Sequence, residues 1–317
     1  MAQQLLSAAH SGDVAQLASL LHSSPELINV QDNNGFTPLA LAAEKGHLPV
    51  VRKLLADWNI AAATTAADLA TDRFVDVDAA TSAGNTPLMW AAARGHLEVL
   101  TYLLHNDAEC LHANETGDTS LMWAAASGHA NIVALLIRHH LDNSAGLLRA
   151  SINVAPEDWG EGRCDEGNAV LWQRTQKGMT AAMFAAVNGH SAVLRLILDS
   201  VSAGSSVGQA ESDVPAQLAV VDGEGNGVLH HAALNGHAEC VQLLLEARAD
   251  LFMPGSKRRT AHELAESAFR GEQGSSGHAE VIKVLAGERE RLEAERARLA
   301  DALLAELMED GEGKKAK

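Results

Sequence analysis

"TPLMWAAARGH", residues 86–96, and "TSLMWAAASGH", residues 119–129, are two copies of one phrase set 33 residues apart. Looser copies follow the same plan: GFTPLALAAEKGH at 35–47, GMTAAMFAAVNGH at 178–190 and GNGVLHHAALNGH at 225–237. A run with helical spacing follows each: LPVVRKLL, LEVLTYLL, ANIVALLI, SAVLRLIL and AECVQLLL. The phrase reads as a short helix with its own punctuation. Thr86 is a good N-cap and Pro87 suits the first helical position, where a missing N–H costs nothing. Gly95 suits the left-handed residue that ends a helix. The following run carries Val99, Leu100, Leu103 and Leu104 on one face. Neither helix can bury its stripe alone, so neighbouring copies must stack and bury it jointly.

The chain has 317 residues, 47% of them hydrophobic but only 3% aromatic. Such an alanine-rich, aromatic-poor composition suits close-packed helices. The formal charge of −17 gives a surface that repels nucleic acid and anionic membranes on average. The three cysteines, Cys110, Cys164 and Cys240, are far apart, which argues against disulfides and zinc and fits a reducing compartment. The opening MAQQLLSAAHSGD lacks the basic start and apolar run of a secretory leader. No apolar run of about 18 residues predicts a membrane span. Cytoplasm or nucleus is the expected location.

The repeated phrase resembles the ankyrin repeat family, whose period is 33 residues and whose signature is T-P-L-H-x-A. The likeness covers most of the chain. A degenerate copy, RRTAHELAES followed by GHAEVIKVL, lies near the end, and LLSAAHSGDVAQLASLL near the start keeps the helices without the turn. The resemblance implies an all-α ankyrin-repeat solenoid of helix–turn–helix repeats joined by short hairpin turns. About seven units are expected within 1–286, approximately at 1–30, 31–81, 82–114, 115–175, 176–221, 222–254 and 255–286. Gly-His dipeptides at 46, 95, 128, 189, 236 and 277 are separated by 49, 33, 61, 47 and 41 residues. The excess over one period places long inserted loops near 57–82, 141–176, 200–221 and 267–277. The stretch 61–70 is predicted to form a short helix, and 200–221 to be mobile.

Residues 287–310 read as a long charged helix. Leu285, Leu292, Leu299, Leu303 and Leu307 form its stripe, with Arg289/Glu293 and Arg291/Glu295 as i,i+4 pairs. A short coiled coil and a solvated cap on the last repeat both fit. The tail 311–317 is predicted to be disordered.

On a helical wheel Leu88, Ala91 and Ala92 share the core face, and Trp90 and Arg94 lie opposite. Trp123 with Ser127 and Phe184 with Asn188 repeat that arrangement. The position four after the threonine reads Leu41, Trp90, Trp123, Phe184, His231 and Leu264. The resemblance puts the first helices on the concave face, so these residues form a row edged by Glu44, Lys45, Ala93, Arg94, Ser127, Asn188 and Asn235. A row of large apolar groups with a polar edge fits a binding hot spot. The alternative is that each tryptophan only fills a groove over the adjoining repeat.

Other chemistry is weaker. Six of the fifteen histidines belong to the Gly-His dipeptides, and the adjacent pairs His139-His140 and His230-His231 do not share a helix face, so no metal is expected. HELAE at 262–266 lacks the second histidine of a metalloprotease motif. The acidic residues Glu157, Asp158, Glu161, Asp165 and Glu166 lack EF-hand spacing. They surround Cys164 and disfavour its thiolate. Lys257-Arg258-Arg259 is a short basic triplet on the last turn, which fits a weak import signal or, equally, an ordinary surface cluster. No phosphate loop, nucleophile elbow or dinucleotide fingerprint is present, and no cofactor is expected. Met89, Met122, Met183 and Ala40 stand where the signature has histidine, which removes a polar contact near the turns. Gly227 replaces the capping threonine. The expected function is non-enzymatic protein binding on the concave face, as scaffold, adaptor, inhibitor or assembly chaperone. The alternative is a regulatory or targeting subunit that self-associates through 287–310. An enzyme built from the inserted loops ranks last.

Overall fold

The computed structural model describes residues 1–58, 74–147, 171, 173–204, 218–271 and 275–313. The helix predicted at 61–70, the acidic stretch with Cys164, and most of 200–221 lie outside these residues. The described residues form fourteen α-helices in seven antiparallel pairs, without a β-strand. The pairs are α1 (Ala2–Ser11) with α2 (Val14–Ser23), α3 (Pro38–Lys45) with α4 (Leu48–Trp58), and α5 (Pro87–Arg94) with α6 (Leu97–Leu104). Next come α7 (Ser120–Ser127) with α8 (Ala130–Leu147), and α9 (Ala181–Asn188) with α10 (Ser191–Gly204). The last two are α11 (Val228–Leu234) with α12 (Ala238–Glu246), and α13 (Ala261–Arg270) with α14 (Ser276–Gly313).

The threonines begin the first helices as their chemistry requires. The hydroxyls of Thr37, Thr86, Thr119, Thr180 and Thr260 accept the N–H of the residue three further on. Gly227 has no hydroxyl, yet α11 forms: its N–H donates instead to Nδ1 of His230, 3.2 Å away. Leu88, Ala91, Ala92, Val99, Leu100 and Leu103 are all buried, as the helical wheel requires.

Between pairs the chain makes a tight turn, closed in the third pair by Thr81 N–H to the Asn85 carbonyl, 3.0 Å. Successive turns are also joined. Ser82 N–H donates to Asn34, Glu115 to Ala83, Gln176 to Thr116 and Gly223 to Lys177, at 2.9, 3.2, 2.9 and 2.7 Å. The third of these bonds spans the longest insertion, so the register of the ribbon is indifferent to what loops out between pairs.

The Gly-His histidines perform one task. Nε2 of His47, His96, His129, His190, His237 and His278 meets a carbonyl at the end of the preceding pair's first helix. A carbonyl only accepts, so Nε2 carries the proton in each. These rings latch neighbouring pairs together.

The second helices run further than the repeat period implies. α4, α8 and α10 extend into the stretches expected as insertions. α8 has 18 residues because 138–147 contains no proline and adding residues to a formed helix costs little. α14 has 38 residues, with no break near 287 and with helix through Gly313 rather than disorder from 311. Gly287 in its interior costs about 1 kcal/mol, too little to end it. Val281 and Leu285 are fully buried in the core of the stack and Leu292 is half-buried. Arg296 lies over the Phe252 ring at 5.0 Å. Beyond this point Leu299 is 59% exposed. Arg289 pairs with Glu293 at 2.8 Å as expected, but Arg291 pairs with Glu288 at 2.8 Å and not with Glu295.

Candidate protein-binding face

The first helices of adjacent pairs pack more closely on one another than the second helices do. The facing positions are alanines, such as Ala91, Ala92, Ala124 and Ala125, all fully buried. Small side chains let the backbones approach, which makes the first helices the more closely packed, inner side of the stack. The concave side therefore carries the first helices and the turns.

On it Trp90 and Trp123 are half-buried and touch, with ring centroids 5.1 Å apart at 78°, edge to face. Phe36, in the second turn, completes the series at 5.2 Å from Trp90 with a 38° tilt. One aromatic ladder thus crosses three pairs. Edge-to-face pairs add about 0.5–1.5 kcal/mol beyond area burial, so the rings hold each other's rotamers. The indole N–H of Trp90 is buried without a hydrogen-bond acceptor among the described residues.

A family model for ankyrin repeats, in three copies, matches residues 5–114, 59–146 and 162–255. The chain belongs to the ankyrin repeat family. Ankyrin repeats are generally protein–protein interaction modules.

The remaining residues of the row fall into three kinds. Leu41, Phe184 and His231 are half-buried, whereas Leu264 is buried and leaves the row. Lys45, Arg94, Ser127, Asn188 and Asn235 are exposed one turn further on. Some are already engaged. Glu44 takes Arg94 at 2.9 Å, across two pairs, and Lys45 at 3.5 Å. His231 Nε2 is 2.9 Å from the Asp222 carboxylate. The amides of Asn188 and Asn235 donate back to the carbonyls of Phe184 and His231. Between these two rows runs a third, Ala93, Ala126 and Val187, ending in exposed Leu234. No charged side chain lies on these rows from Trp123 to Asn188.

Phe36 and Leu234 were not identified from the sequence. Phe36 precedes the helix, where a helical wheel has no meaning. Leu234 had a signal: it occupies the position of Ala93 in the aligned phrase.

A cavity of about 270 Å³ opens between the second and third turns. Phe36 and Trp90 wall it, and Asn33, Asn34, Thr81, Ser82, Ala83 and Asn85 complete the lining. Elsewhere, burial pushes the thiols of Cys110 and Cys240 up, the latter to about 11, so both stay protonated at neutral pH. Both are free cysteines. Among the described residues no group of three His, Cys, Asp or Glu is placed to hold a metal ion, and no helix is long and apolar enough to cross a membrane.

His230 is the one histidine this ankyrin domain keeps at the signature position. It is buried, with Nδ1 accepting from Gly227 and Nε2 donating to the Met253 carbonyl at 3.0 Å. Burial lowers its pKa from the usual 6.5. A second proton would also set Nδ1–H against the Gly227 N–H. The folded state holds this ring neutral while the unfolded chain protonates it. Its contribution to stability is complete above about pH 6.5 and is lost as pH falls below that value. His230→Met, which installs the residue found in three other pairs, should flatten the decline of the urea midpoint between pH 7.5 and 5. An equal decline in both proteins would place its source elsewhere.

Proposed function

We propose that this ankyrin stack binds a partner protein on its concave face, with Trp90 and Trp123 as anchors. Leu41, Lys45, Arg94, Ser127, Phe184, Asn188, His231 and Asn235 surround them and exclude water. The half-buried aromatic ladder carries this reading: large rings, held in place before binding, at the centre of a face whose rim is polar. Binding to a stiff face loses little ordering entropy. Scaffold, adaptor, inhibitor and assembly chaperone are all roles such a face serves. The free thiols suit the cytoplasm or nucleus.

The test is capture from a native lysate by wild type and by Trp90→Ala/Trp123→Ala, the variant first checked for fold by circular dichroism. Tryptophan hot spots contribute about 2 kcal/mol or more, so recovery of the partner should fall at least about thirtyfold. Undiminished capture by a folded variant would reduce the tryptophans to packing residues.

The exposed Leu299 favours a second reading, assembly through the end of α14. Under that reading the wild type sediments as an oligomer and Leu299→Asp as a monomer. A monomeric wild type excludes it.

A further inference from the structure

The cavity between the second and third turns is lined by aromatic, amide and hydroxyl side chains with no charge among them. We infer that it receives one arginine side chain from an extended segment of the bound partner, an inference that rests on the concave-face reading above.

Size comes first. About 270 Å³ accommodates one long side chain and no folded element. The walls come second. Phe36 and Trp90 both line it, and the quadrupole of an aromatic ring attracts a cation. Asn33, Asn34, Thr81 and Ser82 offer oxygens to the donors of a guanidinium. A planar guanidinium can stack on a ring and donate in its plane, which an ammonium cannot do. The chain makes the same pairing internally, with Arg52 5.5 Å from the centre of the Tyr102 ring and Arg296 over Phe252. Arg94, one turn along from Trp90, is turned instead to Glu44.

Charge comes third. The turns at 31–37, 80–86 and 113–119 contain Asp32, Glu115 and Asp118 and no lysine or arginine. Asp32 is fixed beside the cavity, where it accepts the N–H groups of Asn34 and Phe36, both at 2.8 Å. The sixth turn, with Asp222 and Glu224, is likewise free of lysine and arginine, whereas the fifth holds Arg174 and Lys177 and the seventh Lys257, Arg258 and Arg259. No fixed cation therefore opposes an arginine at the cavity, and Asp32 beside it attracts one. The overall charge of −17 adds to this attraction.

The experiment titrates the full-length protein at low salt with two blocked tripeptides, acetyl-Gly-Arg-Gly-amide and its citrulline counterpart. Citrulline keeps the shape and removes the charge. The readout is the indole N–H resonance of Trp90, assigned with Trp90→Phe. The arginine peptide should shift it, with the citrulline peptide about tenfold weaker. Ser82→Arg puts a cation at an exposed lining position without removing the ladder, and should weaken the arginine peptide at least tenfold. Equal binding of the two peptides, no shift with either, or indifference to Ser82→Arg overturns the inference. The two readings fail separately. If the arginine peptide does not bind while Trp90→Ala/Trp123→Ala still loses the partner, the cavity assignment falls and the face remains. If the peptide binds as described while capture is unaffected, the face reading falls, and with it the source of the arginine.

Discussion

Gly128→Ala should destabilise the stack by about 3 kcal/mol, a large effect for one methyl group. Two costs combine. Gly128 ends α7 at φ +78°, a left-handed conformation that costs an L-residue about 1–2 kcal/mol. A Cβ there would also lie 2.6 Å from Nδ1 and 2.7 Å from Cε1 of His190. That ring cannot simply turn away, because Nε2 is bound to the Ala126 carbonyl at 3.0 Å. Displacing it leaves buried polar groups unpaired, at about 1–3 kcal/mol. A double-mutant cycle with His190→Ala separates the two. In the His190→Ala background the glycine substitution should cost only its conformational share, about 1 kcal/mol. Additive costs would show that the imidazole is not the obstacle.

Leu121→Ala should cost about 3–5 kcal/mol and divide the unfolding transition in two. Leu121 is fully buried in α7, at the middle of the stack, where α7 packs against both α5 and α9. In a linear array each pair is supported only by its neighbours. A cavity in the central pair weakens both of its interfaces at once, so the two ends of the stack lose their coupling and melt separately. Trp123→Ala, two residues along the same helix, removes a half-buried ring and should leave one transition. Urea unfolding followed by circular dichroism distinguishes these outcomes. A single transition with a loss under about 1 kcal/mol would contradict the nearest-neighbour account.

Both predictions concern features of very different visibility. The glycine was readable as a helix terminator from its place in the phrase. Its contact with His190 was not, because that residue lies across the longest insertion. The same holds for the Gly-His histidines as a class: the repeat showed that they recur, and the stacked pairs show why. His231 was placed on the row by its position in the phrase and on the concave face by the resemblance, and the partner that occupies it, Asp222, came from the turn.

Local chemistry sufficed for the first helices, their threonine caps and most of their buried faces. Those depend on residues within one or two turns of each other, where hydrogen bonds and periodicity leave a direct trace in the order of amino acids. Extent was less readable. α8, α10 and α14 run on through stretches that carry no repeat signal, since a formed helix continues wherever nothing breaks it. The aromatic ladder belongs wholly to the tertiary structure. Phe36, Trp90 and Trp123 come from three pairs separated by 54 and 33 positions, and no spacing rule joins a turn residue to a helix residue in the next pair. Their contact is set by how closely the buried alanines let the first helices approach. It is a property of the packed stack and of no single repeat.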